Sequence, residues 1–330
     1  MARKVVVISE NAVHARSHLE RLAAAGFELV DLSALGRSPD ESELIAALQG
    51  AWAVVAGGGE VYSRRVLDAS EGLRVIARSG VGYDAVDVAA ATDHGVAVVI
   101  TPGANAEAVA DYALGLMLAS LRRITIADAD VRSGRWRSGA PPRDLFGAVV
   151  GIVGFGRIGQ AVARRLRGFD CRLLVVEPMP DRAACAALGA ELTTLDELLP
   201  RVDVLTLHVP LGDGTHHLIG ERELRLMRPT ATLVNTSRGS VVDGVALAAA
   251  LRAGVIAGAA LDVFEREPLP ETDELAALPG VLLSGHLAGF SAGALAAVVG
   301  GVVDSLIELD QGQVPAGCVN PAVFTSARRP

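Results

Sequence analysis

Three stretches far apart in the chain carry side chains suited to chemistry: Leu233–Asp243 (LVNTSRGSVVD) with Arg238, Ala260–Pro270 (ALDVFEREPLP) with Glu267, and Ser284–Ser291 (SGHLAGFS) with His286. Each of these residues comes just after an apolar run that reads as a strand. Ligands of open parallel sheets bind at the carboxyl ends of strands, so the three can converge on one crevice. Hydride transfer at a carbon bearing oxygen needs a group that gives or takes the oxygen's proton, and histidine titrates near working pH. A carboxylate beside it favours the imidazolium and orients the ring. Arginine can grip a carboxylate through two parallel hydrogen bonds. Together the trio suits 2-oxo and 2-hydroxy acids. Taken singly, each has a plainer reading: a surface or phosphate-pairing arginine, a solvated loop acid, a capping histidine. Of the other histidines, His14, His18 and His94 read as surface residues and His216 and His217 as turn residues, while His208 ends a strand and suits a cofactor cleft.

The element that must position this chemistry is Ala148–Pro178. Val149, Val150, Ile152 and Val153 form an apolar run of the kind a buried parallel strand uses. It stops at Gly154-Phe155-Gly156-Arg157-Ile158-Gly159, a G-x-G-x-x-G turn. Gly154 permits the tight turn, Gly156 lets backbone approach a pyrophosphate, and Gly159 lets the helix 158–168 lie close on the sheet. Phosphates would sit on that helix's free amides. The next strand, Cys171–Val176, delivers Glu177, 18 residues past Gly159. A carboxylate there holds a ribose diol and repels a 2′-phosphate, which favours NAD over NADP, with Arg182 close enough to soften the preference. Without its strand, helix and acid, such a motif would be only a glycine-rich turn.

The chain of 330 residues suggests two domains. A hydrophobic content of 51% supplies both cores, and a net charge of -8 argues against a nucleic-acid or anionic-membrane partner. The start, MARKVVVISE, reads as a first strand rather than a signal peptide, and no uninterrupted apolar stretch reaches membrane-spanning length. Cys171, Cys185 and Cys318 are scattered, with no C-x-x-C pair, as in a reduced cytoplasmic protein without a metal site.

Before residue 101, strands are expected at Val5–Ser9, Phe27–Leu32, Ala53–Ala56, Arg74–Arg78 and Val96–Ile100. Helices at His14–Ala25 and Pro39–Gln49 lie between them, with Pro39 suited to a first turn. This makes a small doubly wound sheet without a phosphate-binding turn. The helix Asn105–Arg123 is apolar enough to be buried on most sides, between two domains or two subunits. Ser133–Asp144 reads as a polar connection. Beyond Glu177, helices are expected at Asp181–Leu188, Leu195–Leu199, Glu221–Met227, Val242–Ala253 and Ala292–Asp310. Strands are expected at Asp203–His208, Ala231–Asn235, Val255–Leu261 and Val281–Ser284, and a loose tail from Thr325.

With these motifs in view, the chain from about Val54 to Asn320 closely resembles the D-isomer-specific 2-hydroxyacid dehydrogenases, which include phosphoglycerate dehydrogenase, hydroxypyruvate and glyoxylate reductases and D-lactate dehydrogenase. The likeness rests on VGIVGFGRIG, VDVLTLHVPLGDGTHHLIG, LVNTSRGSVVD, ALDVFEREPLP and GHLAGFS, in that order. It implies an α/β fold of two doubly wound parallel-sheet domains, a Rossmann cofactor domain (104–287) inserted into a flavodoxin-like substrate domain (1–103 and 288–330). It implies that Arg238 binds the substrate carboxylate and carbonyl, that His286 is the acid/base and that Glu267 is its partner. NAD contacts are implied at Gly154, Gly156, Arg157, Ile158, Gly159, Glu177, His208, Val209, Pro210, Thr215, Thr236, Gly289 and, on the carboxamide, Asp262. The backbone amides of Ser79, Gly80, Val81 and Gly82 would hold the substrate's other end, with Asn105 nearby. A homodimer is implied as well.

Some positions depart from the family's pattern. Gly57-Gly58 replaces an Arg-Ser pair common in phosphoglycerate dehydrogenases, which weakens the case for a phosphorylated substrate. Gly285 stands where proline usually precedes the histidine, Asp111 where glutamate is usual, and Tyr83 where an aliphatic residue is more common. A C-terminal regulatory domain is expected to be absent. The reading is therefore an NAD-dependent enzyme interconverting a small 2-oxo acid and its D-2-hydroxy acid. Its rivals are a formate- or phosphite-type dehydrogenase and a non-enzymatic, NAD-sensing corepressor-like protein.

Overall fold

The computed structural model describes residues 2–35, 37–136, 139 and 141–325. Parts of the 133–144 connection and the tail beyond Thr325 lie outside them. Contacts divide the chain into two compact units, Met1–Asn105 with Ser291–Pro330, and Ala106–Phe290.

In the first unit five strands, β1 (Lys4–Val7), β2 (Glu28–Asp31), β3 (Ala53–Ala56), β4 (Val75–Arg78) and β5 (Ala97–Val99), pair in parallel in the order β2-β1-β3-β4-β5. That is the flavodoxin-like order. β3, β4 and β5 are buried at every residue, as strands covered on both faces must be. One face is covered by Arg16–Ala24 and by Ala292–Asp310, whose Val299, Val302, Val303 and Leu306 meet Val5, Val55 and Val75. Ala292–Asp310 is the one described helix long and apolar enough to cross a membrane; Asp304 interrupts it, and half of it is buried in this core. The helix expected from Pro39 instead spans Glu41–Ala47. Asp40 caps it, accepting from the Glu43 amide while the Glu43 side chain accepts from the Asp40 amide. Pro39 falls outside because the capping box, not the fixed proline φ, sets where the first turn begins.

Residues 317–320 run along β5, with Val319 N–H donating to the Val98 carbonyl. Asn320 is buried there: its Oδ1 accepts from Val98 N–H (2.8 Å) and its Nδ2 donates to the Val96 carbonyl (2.9 Å) and Thr92 Oγ1 (3.0 Å). Removing it strands a buried amide and a buried carbonyl. Asn320→Ala should therefore lower stability by about 2–4 kcal/mol, read as a fall in the thermal midpoint.

In the second unit seven parallel strands follow: β6 (Val149–Val153), β7 (Arg172–Val176), β8 (Ala190–Leu192), β9 (Val204–Leu207), β10 (Thr232–Asn235), β11 (Gly258–Leu261) and β12 (Val281–Leu283), ordered β12-β11-β10-β9-β6-β7-β8. This is the Rossmann order with one further strand, and its direction reverses between β6 and β9. The edge strand β8 was not expected from the sequence, nor the helix Ile124–Arg132. Ala106–Leu121 packs its buried residues within this unit, on the helix Arg157–Leu166 and on β10–β12. Glu107 and Asp111 on its open side pair with Arg164 and Arg165.

Candidate active site

At the β6–β9 reversal the glycine turn has the shape its spacing implies. Gly154 takes φ +91, and a Cβ there would meet the His208 carbonyl oxygen at 2.5 Å. A Cβ on Gly159 would strike the Gly154 carbonyl, so the helix Arg157–Leu166 can sit on the strand end only with hydrogen at that place. Gly156, the residue before the helix, has open space where a side chain would be. Glu177, directly after β7, accepts from Phe155 N–H in that turn (2.8 Å) and from Met179 N–H (3.2 Å). Arg157 is exposed at the first helical position and Ile158 is half-buried.

His208 follows β9 and Thr236 follows β10. His208 Nε2 is 2.9 Å from Thr206 Oγ1, and burial depresses the imidazole to a pKa of about 3, so the ring is neutral. His208 Nδ1 and Thr236 Oγ1 are both buried and meet no hydrogen-bond partner among the described residues. Orphaned buried polar atoms at adjacent strand ends, beside an open glycine turn, fit a dinucleotide better than an empty cleft. Val209 and Pro210 continue this loop. The Thr215 hydroxyl instead closes its own turn, donating to the Pro210 carbonyl (2.6 Å).

The proton-transfer geometry is explicit. His286 Nδ1 and Glu267 Oε2 are 2.7 Å apart, and Glu267 Oε1 accepts from Phe264 N–H (3.0 Å). Nδ1–H thus donates to the carboxylate, and Nε2 is the ring nitrogen left outside that bond. The bond to Glu267 raises the His286 pKa against the opposing effect of burial and of Arg238. For Glu267, burial pushes the carboxyl up, but the bonds from His286 and Phe264 more than offset it and the net shift is downward. Arg238 acts electrostatically on both groups, so the three side chains share one neighbourhood.

Three devices hold them there. His286 sits at φ +57, an uncommon conformation for a non-glycine residue. It is kept by Asp262, whose carbonyl accepts from His286 N–H (2.7 Å) and whose buried carboxylate accepts from Ser284 Oγ (2.7 Å), Leu287 N–H (2.8 Å) and Ala288 N–H (2.8 Å). Asp262 thereby shapes the loop through Gly289. Asn235 is buried; it accepts from the Ser237 amide (3.0 Å) and hydroxyl (2.8 Å) and donates to the Arg238 carbonyl (2.9 Å). Gly239 lies against the Phe264–Glu265 backbone so closely that a Cβ would collide with it. Asn235, Gly239 and the loop-holding part of Asp262 were missed from the sequence. A polar residue closing an apolar strand was the only signal Asn235 offered.

In the first unit the amides of Ser79 and Gly80 are already used, donating to the carbonyls of Ala56 (2.9 Å) and Arg78 (2.9 Å). Among the described residues, those of Val81 and Gly82 have no protein acceptor. Among the same residues Asn105 Oδ1 is buried without a hydrogen-bond partner.

The sequence profile described as "D-isomer specific 2-hydroxyacid dehydrogenase, NAD binding domain" matches residues 114–288. The chain is 42% identical over 290 residues to a glyoxylate reductase of Korarchaeum cryptofilum, covering 86% of this chain and 87% of that protein. The chain belongs to the D-isomer specific 2-hydroxyacid dehydrogenases. Its backbone is similar to that of the TT0316 protein of Thermus thermophilus, with a TM-score of 0.87 at 35% identity over 96% of this chain and 99% of that one. It is also similar to an NADPH-dependent glyoxylate/hydroxypyruvate reductase of Sinorhizobium meliloti in complex with NADP and malonate, with a TM-score of 0.85 at 34% identity over 97% of each chain. This dehydrogenase is accordingly an oxidoreductase that interconverts 2-oxo and 2-hydroxy acids with a nicotinamide cofactor.

Proposed function

We propose that this dehydrogenase reduces a small, singly charged 2-oxo acid, glyoxylate first among them, to its hydroxy acid with NADH. The observation that carries the reading is the 2.7 Å contact of His286 Nδ1 with Glu267 Oε2 in the field of Arg238. A nicotinamide cofactor held by the second unit would supply the hydride for the carbonyl carbon, or accept it in the reverse direction. Arg238 grips the carboxylate and fixes which carbon faces the cofactor. His286 donates its Nε2 proton to the carbonyl oxygen and is reprotonated from solvent. Glu267 keeps the imidazolium populated and turned toward substrate. The Gly154–Gly159 turn with Arg157 and Ile158, Glu177, His208–Pro210, Thr215, Thr236, Asp262 and Gly289 are the residues that would hold the cofactor. The amides of Val81 and Gly82, with Asn105, would meet the substrate's far end.

Glu177 supports NAD over NADP, since its carboxylate after β7 would repel a 2′-phosphate. A homodimer is supported by the exposed Ile124, Ile126, Val131, Trp136 and Phe146, an apolar series a second copy would cover. Turnover of glyoxylate, hydroxypyruvate, pyruvate, phenylpyruvate, phosphohydroxypyruvate, formate and phosphite, each with NAD(H) and NADP(H), tests the assignment. Consumption of NADH with glyoxylate is expected, and no turnover of any 2-oxo acid would refute it.

The sign of the pH dependence follows from the pair. His286 is raised, so reduction should hold at low pH and fall as pH climbs through that raised pKa. Its contribution to stability is complete below its ordinary 6.5 and is lost over the same rise; that of Glu267 is present above 4.5 and is lost as pH falls through its depressed value. Glu267→Gln should move the falling limb of kcat/KM for reduction to lower pH and cut the rate above neutrality about tenfold. An unmoved limb would show that Glu267 does not tune the histidine.

A further inference from the structure

Behind the turn Ser79–Gly82 lies a cluster of ionisable groups that the chemistry above does not use. Arg78 and Glu60 are only 5% and 3% exposed, with Nη1 and Oε2 3.8 Å apart. Arg78 Nε donates to the Gly82 carbonyl (3.0 Å), so the guanidinium is fastened to the turn it sits beneath. The Glu60 carboxylate lies so close to Gly57 that a Cβ there would meet Oε1 at 2.8 Å, and among the described residues its Oε2 has no hydrogen-bond partner, so it meets Arg78 as a charge. Tyr62, fully buried, places its hydroxyl in the field of both charges. One acid thus lies against the turn after β3 and faces the cation that is fastened to the turn after β4.

Burying a pair of charges is poor value for stability, since apolar residues would serve the core as well. A cation beneath a turn with two open amides would, uncancelled, draw a second negative charge toward it, because a buried charge acts strongly through a low-dielectric interior. Glu60 removes that attraction, and Gly57-Gly58 adds no replacement.

We propose that Glu60 is a specificity-determining residue, cancelling the Arg78 charge so that the Ser79–Gly82 end accepts monoanionic 2-oxo acids and rejects dianionic ones. This rests on the reading that the turn meets the substrate's far end. Arg78 is a latent anion anchor whose charge Glu60 balances, and exchange of that neighbour converts the preference.

Calorimetry on the full chain saturated with NADH separates the possibilities, using oxamate as the monoanion and sulfoacetate as the dianion. In Glu60→Gln the affinity for sulfoacetate relative to oxamate should rise about tenfold or more, and in the Glu60→Gln/Arg78→Met double variant it should return to the original ratio. Equal shifts for both anions, or none, would overturn the proposal by showing a structural role alone. Failure of oxamate to bind either protein would remove the substrate-site reading, and the inference with it. Should the variant not fold, the unmodified chain decides. Burial raises the Glu60 pKa despite Arg78, with Glu10 adding to the rise and Tyr62 un-ionised beside it. Between neutral pH and about pH 5 the sulfoacetate preference should therefore grow as pH falls, and a flat ratio would overturn the proposal. His286 titrates over the same range, so the ratio is measured in His286→Ala as well, where only the Glu60–Arg78 pair is left to change it.

Discussion

Replacing His286 by alanine should lower kcat for reduction by about 10²–10⁴-fold while leaving NADH affinity nearly unchanged. The imidazole has its Nδ1 engaged by the Glu267 carboxylate, which turns Nε2 outward from that pair, and Arg238 stands in the same neighbourhood. Its side chain is half exposed, so its loss opens no core cavity and folding should survive. The backbone at 286 takes a positive φ supported from Asp262, and those hydrogen bonds involve main-chain amides that alanine retains. Steady-state kinetics with a fluorescence titration of NADH would separate the two effects. An unchanged kcat would end the assignment of the proton to this residue.

A second large effect is expected from the smallest change. Gly239→Ala puts a methyl group onto the main chain of Phe264 and Glu265, where no flexible side chain can yield. The two loops must part, and with them Arg238 from Glu267, since Phe264 N–H also holds the Glu267 carboxylate. Overpacking of this kind costs about 1–3 kcal/mol, and a misplacement near 1 Å at reacting groups costs about 10²-fold in rate. Thermal denaturation and kcat/KM measured together would check it. Gly293→Ala, where the added carbon meets open space, is the control and should leave both unchanged. Full activity in Gly239→Ala would mean that loop separation does not control the site.

These two substitutions also mark what could be read before any coordinates. That Arg238, Glu267 and His286 meet was legible because each follows a strand, and strands buried on both faces announce themselves as apolar runs. The glycine turn was legible because conformation and close approach demand hydrogen at fixed spacing. β8 escaped: its three residues, Ala190–Leu192, have no buried member and centre on an exposed glutamate, so no apolar run forms. Pro39 misled because a side-chain cap at Asp40 outweighed it. Gly239, Asn235 and the Asp262 loop escaped for another reason. Their work is to fit or bond main chain 25 residues away, or to shape their own turn, and side-chain identity alone carries no trace of such a partner.

The return of Ala292–Asp310 to the first sheet has a consequence for how the chain comes to be folded. Translation delivers β1–β5 early, yet Val5, Val55 and Val75 face a helix that is made only after the whole of Ala106–Phe290 has been synthesised. The intervening Rossmann body contains all of its own strands and can condense first. The opening hundred residues meanwhile have only Arg16–Ala24 to cover that sheet face, so the part made first is expected to be completed last.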